Sequence, residues 1–492
     1  MCGIVGYIGE SESAPILLSQ LKKLEYRGYD SAGIAVIKDG KINVFKVSGK
    51  VEELCKKTDD GKGVSGTCGI GHTRWATHGA PTDVNAHPHL SKSEKIAIVH
   101  NGIIENYAEL REELKAKGFN FQSQTDTEVI ANLIDSFYEG DIKKAVMKAS
   151  MRLTGSYALG VICSDFPDKI IIARESSPLI IGVGVGCNYY ASDITALVSY
   201  TKNVIYLNDG EFAEITRDGV EVFDSTGETV KKQISRVSWS VEKAEKGGYE
   251  HFMLKEIMEQ PGVVNATISP RIKDGEIVLE DFPFSDEDLK NINKVQITAC
   301  GSAYYAGVSG KFVFEKLCRI PVSVDLGSEL RYSDPIIDEH TLCIVISQSG
   351  ETADTIAAMK ECKRLGAKVV AIVNVVGSTI ARLADCVLYT HAGPEIAVAT
   401  TKGFTTQLSV MYLLSIYFAY HTGKIDRTEY SSLINDLQKI PHAIQRAMDK
   451  NILLEYFAEK YYNSSSLFFL GRNTDYAIAL EGALKMKEIS YV

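Results

Sequence analysis

The 492-residue sequence lacks several patterns that would assign a protein to a class by themselves. Its ten cysteines form no CxxC pair and no cysteine–histidine cluster with the spacing of a zinc site. Nine of them are therefore interpreted as small buried hydrophobic residues in a reducing compartment, and only Cys2 stands apart. The P-loop pattern GxxxxGK(S/T) is absent as well.

Long apolar runs and blocks of one charge are missing too. The longest apolar stretch, Leu408 to Tyr420, contains serine and is shorter than the roughly 20 residues of a membrane span, so we expect a buried helix. The N-terminus shows no basic segment or cleavage site of a signal peptide. With 53 basic and 63 acidic residues the net charge is -10, which argues against nucleic acid or membrane as a partner. We expect a cytoplasmic protein.

The length predicts two or three domains, because one hydrophobic core stops growing at about 250–300 residues. Residues 2–237 contain many short β-branched runs separated by turn residues. Helical patterns fit only residues 14–24, 106–117 and 127–138 of this part. Because this order is not a βαβ alternation, we predict an α+β layered domain.

The second half has a different sequence pattern. Residues 238–284 are predicted to be a linker and a connecting helix that Pro261 stops. In residues 285–425 apolar strands alternate with helices, which predicts a doubly wound parallel sheet. Residues 455–492 are predicted to begin a second α/β unit, with a strand at "SLFFLGR" and a final helix.

Cys2 has a specific chemical use at its position. Removal of Met1 would give it a free α-amine, whose pKa of about 7.7–8.0 leaves a useful fraction as neutral base. The amine can take the proton of the neighbouring thiol, so that nucleophile and base belong to one residue. The alternative, a cysteine that follows Met1 by chance, is open on position alone.

Six motifs in order resemble the class II, or N-terminal nucleophile, glutamine amidotransferases. They are "MCGIVG", "EYRGYDSAG", "GIGHTRWATHG", "NAHPH", "VHNGIIENY" and "QTDTEVI". The resemblance implies a four-layer glutaminase domain over residues 2–237 with Cys2 as its nucleophile. It also implies an oxyanion hole made by Asn101 and Gly102, donors that typically lower the barrier by about 2.7–4 kcal/mol each.

The same resemblance implies a set of glutamine-binding residues. Arg74 would clamp the α-carboxylate, since a planar guanidinium binds it bidentately, and Asp126 would pair with the α-ammonium. The remaining residues would form the lid, the gate to an ammonia passage and a closing residue: Thr77, His78, Trp75 and Arg27. Taken alone, Asp126 would be interpreted as a helix N-cap and Asn101-Gly102 as a turn.

The second half resembles a sugar isomerase (SIS) domain. "SQSGETADT" follows a buried strand and opens a helix, and it can offer hydroxyl, amide and N–H donors to a phosphate. The implied sugar-phosphate residues are Ser302, Ser347, Gln348, Ser349, Thr352, Val398 and Ala399. Ala303 lacks the hydroxyl that the family has there. As an alternative, serine and threonine after a strand are simply helix caps.

The last helix carries Glu481, Lys485 and Glu488 on one face, at the spacing i, i+4 and i+7. The resemblance implies that Glu488 is the base that moves a proton between sugar carbons and that Lys485 is a supporting charge. Without the resemblance, these three residues would be interpreted as a solvated helix face with a Glu–Lys pair.

Together the two resemblances imply ammonia transfer from L-glutamine to fructose 6-phosphate with isomerisation to glucosamine 6-phosphate. No metal or other cofactor is needed, and SIS subdomains usually pair, so a homodimer is expected. The family continues beyond Val492 with a ring-opening histidine and a Schiff-base lysine. We therefore expect a truncated chain that keeps glutaminase activity and loses synthase activity.

Two other classes of protein remain as alternatives. A phosphoribosylamine-forming amidotransferase would need a diphosphate-binding loop, and "SQSGETADT" argues against it. A non-enzymatic sugar-phosphate sensor would bind the sugar phosphate without hydrolysing glutamine, and the sequence shows no helix-turn-helix region.

Overall fold

The structure of the chain is a computed structural model that describes residues 2–25, 28–76, 78–237, 246–279 and 281–492. The chain forms two compact units, Met1–Val241 and Glu242–Val492. Across the described residues, no helix combines the length and the apolar character that a membrane crossing requires.

The first unit is rich in short strands, as its many β-branched runs predict. Its strands are β1 (Gly3–Gly9), β2 (Ser31–Lys38), β3 (Lys41–Ser48), β4 (Cys68–Arg74), β5 (His89–Leu90), β6 (Ile96–Ile104), β7 (Gly155–Cys163), β8 (Phe166–Glu175), β9 (Ile180–Val183), β10 (Cys187–Ala191), β11 (Asn203–Tyr206), β12 (Phe212–Thr216), β13 (Val220–Phe223) and β14 (Ser235–Arg236). Its helices are α1 (Ser13–Leu24), α2 (Val51–Lys57), α3 (Tyr107–Ala116), α4 (Thr127–Ser136) and α5 (Ile142–Ser150).

These elements form four layers. One sheet has the order β14-β11-β9-β10-β1-β4-β2-β3 and the other β13-β12-β8-β7-β6-β5. Successive residues of one strand face opposite sides: Val36 packs with α1 and α2, whereas Ile37 faces the second sheet. Likewise Ile98 packs with α3, α4 and α5, and Val99 faces the first sheet. The arrangement is helix, sheet, sheet, helix, which confirms the predicted layered fold.

The second unit alternates strands and helices. Its strands are β15 (Ile272–Lys273), β16 (Glu276–Ile277), β17 (Lys294–Ala299), β18 (Val322–Leu326), β19 (Thr341–Ser347), β20 (Lys368–Val373) and β21 (Cys386–Tyr389). Its helices are α6 (Phe252–Ile268), α7 (Asp286–Asn291), α8 (Ser302–Cys318), α9 (Gly327–Leu330), α10 (Ala353–Arg364), α11 (Thr379–Leu383), α12 (Lys402–His421), α13 (Arg427–Met448), α14 (Asn451–Tyr461) and α15 (Thr474–Ser490).

Its main sheet is parallel, in the order β18-β17-β19-β20-β21. Ile344 of β19 lies in a core shared with α8, α12 and α13, whereas Val345 packs with α10 on the other face. Helices therefore cover both faces, and the predicted doubly wound sheet is confirmed. The strand order reverses between β17 and β19, and such sheets bind ligands beyond the carboxyl ends of the strands at this point.

The prediction that Pro261 stops the connecting helix is wrong, because α6 continues to Ile268. A proline lacks the N–H that would bond the carbonyl four residues earlier, here that of Ile257. The side-chain amide of Gln260 donates to this carbonyl at 3.1 Å and replaces the missing bond. The preceding residues 238–245 of the predicted linker lie outside the described residues.

The predicted strand at "SLFFLGR" is also wrong. Residues 466–472 form neither strand nor helix, and Phe468 and Leu470 are 88% and 90% exposed. A strand needs a neighbour for its backbone hydrogen bonds, and among the described residues none pairs with this segment. The helix predicted after it is present as α15, and the apolar stretch 408–420 lies in the largely buried α12.

All ten cysteines are free thiols. Seven of the nine that were interpreted as buried are buried. Cys187 and Cys300 are partly exposed, so the burial prediction is wrong for these two. Cys187 is the first residue of β10 and follows the turn of the β9–β10 hairpin. Cys300 directly follows the carboxyl end of β17.

Candidate functional site

The first unit contains a cavity of 330 Å³ whose lining includes Cys2, Arg74, Asn101, Gly102 and Asp126. Cys2 directly precedes β1. Because β1 and β4 are antiparallel neighbours, the start of β1 lies beside the end of β4, where Arg74 stands. Residues 101 and 102 come from β6 of the other sheet, and Asp126 precedes α4. The cavity thus opens where the ends of elements from both sheets meet.

The thiol of Cys2 contacts the backbone that follows β4. The N–H of Trp75 donates to Cys2 Sγ at 3.2 Å. Burial raises the pKa of the Cys2 thiol, and the Trp75 N–H and the Arg74 charge only partly oppose this. The resting group is therefore the thiol, and its reaction as a nucleophile needs a base.

Asn101 and Gly102 line the same cavity as this thiol. The side-chain amide of Asn101 donates to the carbonyl oxygen of Cys2 at 3.0 Å. Gly102 has φ +127°, and a Cβ there would lie 2.0 Å from the carbonyl oxygen of Ser156. Only glycine fits this backbone. The Asn101-Gly102 pair lies within β6, paired with Ala158 and Tyr157, so the alternative of an isolated turn is wrong.

Arg74 is held at the cavity wall by the loop that follows Trp75. Its guanidinium donates to the carbonyl oxygens of His78, of Gly79 at 3.3 Å and of Ala80 at 3.5 Å. The arginine is 3% exposed. Because a guanidinium is always charged, the cavity carries a fixed positive group that suits a carboxylate. The loop that contains His78 is thereby tied to the same group.

Asp126 is 5% exposed and does not cap α4, because no bond joins its side chain to the first turn of the helix. The N-cap interpretation is therefore wrong. Its carboxylate instead accepts the N–H of Ile104 at 3.0 Å. Asp126 thus supplies a negative group to the cavity that already holds the positive Arg74.

Of the other predicted residues of this site, the structure describes two, Trp75 and His78. Trp75 is 47% exposed, and its ring meets Tyr29 edge-on at 5.3 Å. The ring of His78 lies edge-on to Tyr107 at 5.2 Å. Arg27 and Thr77 lie outside the described residues.

The sequence interpretation missed Asp30 and His100, two polar residues that support the cavity, and took a third, His72, as structural. The carboxylate of Asp30 accepts the N–H of Ala76, directly after Trp75. His72 and His100, which flank the site, are fully or almost fully buried. All three occur inside the motifs that carry the resemblance, and this was the signal that could have identified them.

Four histidines form a buried group at this end of the unit. They are His72, His87, His89 and His100. His72 stacks on His87 at 4.1 Å between ring centroids. Burial lowers the pKa of all four, to about 3 for His72. They are therefore neutral at neutral pH.

A second polar cluster lies in the second unit, at the carboxyl end of β19. The hydroxyls of Ser347 and Thr352 are 3.1 Å apart, and Ser347 Oγ also accepts the N–H of Gly350 at 3.0 Å. Ser349 Oγ accepts the N–H of Glu351 at 3.2 Å. Thr352 precedes α10 without capping it by its side chain. The cap alternative is therefore wrong for Thr352.

The side chain of Gln348 lies beside this cluster. Both amide atoms are buried, and no partner for either was found among the described residues. A buried amide without partners is costly, and such groups are expected where a ligand or water completes the bonding.

Val398 and Ala399 belong to the segment before α12. Val398 is 79% exposed and Ala399 is 7% exposed. The segment is held by Glu256 of α6, which the sequence interpretation missed: its carboxylate accepts the N–H of Ile396 at 2.6 Å and of Ala397 at 3.1 Å. Burial raises the pKa of Glu256 to about 7. No local sequence pattern marks this contact, since 140 positions separate Glu256 from Ile396.

The final helix brings its three predicted residues together. Lys485 Nζ lies 3.6 Å from Glu481 and also pairs with Glu488. Ser302 Oγ donates to Glu481 at 2.7 Å, which brings α15 to the carboxyl end of β17. Glu481 is 6% exposed, so the solvated-face alternative is wrong for this residue, whereas Glu488 is exposed.

No group of three His, Cys, Asp or Glu side chains able to hold a metal ion occurs in the part of the chain that the structure describes. The sites are built from thiol, amide, hydroxyl, carboxylate and guanidinium groups. These groups support acyl transfer from an amide and the binding of an anion.

Comparison with known proteins assigns both units. A family model described as a glutamine amidotransferase domain matches residues 43–249, and one described as a SIS domain matches residues 288–417. The fold and the site therefore define a class II glutamine amidotransferase joined to a SIS domain, as the sequence predicted.

Individual relatives agree over the whole chain. The glutamine–fructose-6-phosphate aminotransferase (isomerizing) of Caldanaerobacter subterraneus subsp. tengcongensis is 54% identical, and that of Clostridium acetobutylicum is 52% identical. Both alignments cover 100% of this chain and 81% of the relative. The C-terminal domain of glucosamine-fructose-6-phosphate aminotransferase from Francisella tularensis is 38% identical over 50% of this chain and 70% of that chain, with a TM-score of 0.49. The two relatives that match the whole chain show that it belongs to the glutamine–fructose-6-phosphate aminotransferase (isomerizing) family.

Proposed function

We propose that the chain hydrolyses L-glutamine at Cys2 and transfers the ammonia to D-fructose 6-phosphate, forming L-glutamate and D-glucosamine 6-phosphate. One observation carries the first half of this proposal. A single cavity is lined by Cys2, Arg74, Asn101, Gly102 and Asp126, which come from four separate motifs. Their charges match an amino acid, and the Asn101 amide donates to the carbonyl oxygen of Cys2.

The first half-reaction begins when the α-amine of Cys2, freed from Met1, takes the thiol proton. Sγ then attacks the side-chain amide carbon of glutamine, and the amide oxygen becomes an oxyanion. Asn101 and Gly102 donate to this oxygen. The α-ammonium returns its proton to the amide nitrogen, the C–N bond breaks and ammonia leaves. Water then attacks the γ-glutamyl thioester, which releases L-glutamate and restores the thiol.

Substrate orientation follows from the charged groups of the cavity. Arg74 binds the α-carboxylate, and Asp126 binds the α-ammonium. Burial strengthens both contacts, because the two side chains are 3% and 5% exposed. Correct placement of the amide beside Sγ would account for much of the rate, since orientation can supply about 7–11 kcal/mol of a barrier.

The second half-reaction uses the polar cluster of the second unit. Ser347, Ser349 and Thr352 bind the phosphate at the N-terminus of α10. Ammonia adds to the C2 carbonyl of the open-chain sugar and water leaves, which forms an imine. Glu488, paired with Lys485, removes a proton from C1, and a proton added at C2 completes the aldose. The two relatives of the chain are glutamine–fructose-6-phosphate aminotransferases (isomerizing), which supports this assignment.

Paired assays on one sample test the proposal. Glutamate release and glucosamine 6-phosphate formation are measured for the parent chain and for Cys2→Ala. We expect glutamate release that depends on Cys2. Amino-sugar formation would support the whole reaction. Glutamate release without amino sugar would limit the function to a glutaminase, and sugar-phosphate binding with no glutamine hydrolysis would favour a sensor.

The proposal keeps two further expectations from the sequence, a homodimer and a cytoplasmic location. Light scattering of the purified chain tests the first. Cell fractionation with an antibody to the chain tests the second.

A further inference from the structure

His72 is a buried polar residue to which the reaction above gives no role. It is 0% exposed and lies in β4, two residues before Arg74. Its Nε2 lies 3.1 Å from Asn101 Oδ1 and 3.1 Å from the carbonyl oxygen of His100. It therefore contacts the residue proposed to stabilise the oxyanion, on the side of the amide that faces away from Cys2.

The direction of these hydrogen bonds follows from the bond between Asn101 and the carbonyl oxygen of Cys2. The carbonyl oxygen of Cys2 can only accept, so the Asn101 atom 3.0 Å away must be the amide nitrogen. Asn101 Oδ1 then faces His72. Because both neighbours of His72 Nε2 are acceptors, this ring nitrogen must carry the proton. The chain of donors runs from His72 to Asn101 and from Asn101 to Cys2.

The electrostatic state of the ring supports the same direction. Burial lowers the pKa of His72 to about 3, so the ring is neutral and Nδ1 carries no proton. No partner of Nδ1 was found among the described residues. Stacking on His87 at 4.1 Å holds the ring plane. His72 can thus act at Nε2 in one orientation only.

We propose that His72 is a positioning residue that locks the side-chain amide of Asn101 with its N–H groups toward the nucleophile, and so completes the oxyanion hole. The proposal rests on the proposed glutaminase function. Without the bond from His72 the amide could rotate by half a turn and present its oxygen, which would repel an oxyanion. A fixed donor is effective because it needs no reorganisation during the reaction.

Two substitutions separate the hydrogen bond from the volume of the ring. His72→Leu removes the donor, whereas His72→Gln places an amide nitrogen close to the position of Nε2. We expect His72→Leu to lower kcat for glutamine hydrolysis by about 10²–10³, the effect of losing one oxyanion donor. KM should stay within about twofold, since Arg74 and Asp126 remain. His72→Gln should restore kcat to within about tenfold of the parent.

The rate at which iodoacetamide alkylates Cys2 distinguishes loss of an oxyanion donor from a general structural defect, because only the defect would change this rate. This reaction displaces iodide from a saturated carbon and forms no oxyanion. The rate should therefore be the same in the parent, His72→Leu and His72→Gln. Parallel loss of alkylation and hydrolysis would overturn the proposal, because it would mean that the whole site is disturbed.

A double-mutant cycle gives the sharpest result. In an Asn101→Ala background His72→Leu should have no further effect on kcat, because the group that it positions is gone. Full additivity would overturn the proposal, and so would a parental kcat in the single His72→Leu variant. If His72→Leu does not fold, His72→Asn replaces it, since the shorter amide cannot reach Asn101. Absence of hydrolysis in the parent would instead contradict the proposed function.

Discussion

The two candidate sites differ in how their polar groups are held. In the first unit Asn101 is bonded to Cys2 and to His72, and Asp126 to Ile104, so the groups are fixed before a substrate arrives. In the second unit the hydroxyls of Ser347 and Thr352 bond to each other, Ser347 also accepts the N–H of Gly350, and the side-chain amide of Gln348 has no partner among the described residues.

The difference matches the charge that each site must meet. An oxyanion exists only during the reaction, so its donors must already point at it. A phosphate carries its charge permanently and can orient hydroxyl groups as it binds. Loss of one group should therefore affect the rate strongly in the first site and the affinity modestly in the second.

The units also differ in the ionisable groups that they bury. The first buries four histidines whose pKa values are lowered by burial. The second buries Glu256, whose pKa burial raises to about 7. Desolvation favours the neutral form in both cases, but neutrality means loss of a proton for histidine and gain of one for a carboxylate.

The largest expected effect is that of Cys2→Ala. We expect glutamate release to fall by at least about 10³, because both the nucleophile and the covalent intermediate are lost. Fructose 6-phosphate binding, measured by calorimetry, should not change. The matched control is Cys187→Ala, a partly exposed cysteine in β10, and it should keep the parental rate. A Cys2→Ala variant with substantial hydrolysis would contradict the assignment of the nucleophile.

Asp126→Asn should have the next largest effect. Removal of the buried negative charge should lower kcat/KM for glutamine by about 10², equivalent to about 2.7 kcal/mol. An analogue that lacks the α-amine, the monoamide of glutaric acid, offers no ammonium to Asp126. The parent and the variant should therefore hydrolyse the analogue at similar rates. Equal losses for both substrates would show that Asp126 acts on the fold and not on the ammonium.

The stability of the two units should respond to acid in opposite directions. For His72 the pKa of about 3 lies below its ordinary value near 6.5, so the unfolded chain binds the proton first and stability falls as pH drops below 6.5. For Glu256 the pKa of about 7 lies above its ordinary value of 4.5, so stability falls as pH rises from 4.5 to 7. Each group should contribute about 2 kcal/mol between pH 7 and pH 5.

Calorimetric unfolding of the parent, His72→Gln and Glu256→Gln at pH 5, 6 and 7 measures these contributions. His72→Gln should reduce the loss of stability on acidification. Glu256→Gln should remove a gain. If both variants follow the parental pH dependence, the burial account of these groups is wrong.

Thr352→Val should have the smallest effect. Loss of one hydroxyl should weaken fructose 6-phosphate binding about tenfold, or about 1.4 kcal/mol, with no change in glutamine hydrolysis. Thr422→Val is the control, since Thr422 follows the far end of α12 and its hydroxyl bonds only within that region. A loss of 10³ in affinity would show that the second site is as tightly preorganised as the first.

Local sequence patterns predicted the parts of the molecule that neighbouring residues determine. Runs of β-branched residues predicted the strands of the first unit and the parallel strands β17, β19, β20 and β21. Helical periodicity predicted α10. The residues of the first cavity were predicted from motifs that occur in the same order as in the class II amidotransferases. The motif residues cluster because antiparallel pairing brings the start of β1 to the end of β4.

The missed features depend on particular side-chain contacts and on strand pairing, which the sequence patterns do not show. The persistence of α6 through Pro261 depends on the side chain of Gln260, and the shape of the segment before α12 depends on Glu256. The predicted strand at residues 466–472 had the right composition, but among the described residues it has no partner strand. Composition therefore predicts which segments can form strands, and pairing decides which of them do.

Mass spectrometry of the N-terminal peptide during turnover tests the central claim most directly. The chain is mixed with excess glutamine and quenched in acid, which preserves a thioester. We predict that the peptide lacks Met1 and that a fraction of it carries a γ-glutamyl group on Cys2, while Cys2→Ala carries none. Active turnover in a sample that retains Met1, or a glutamyl group on another residue, would contradict the account.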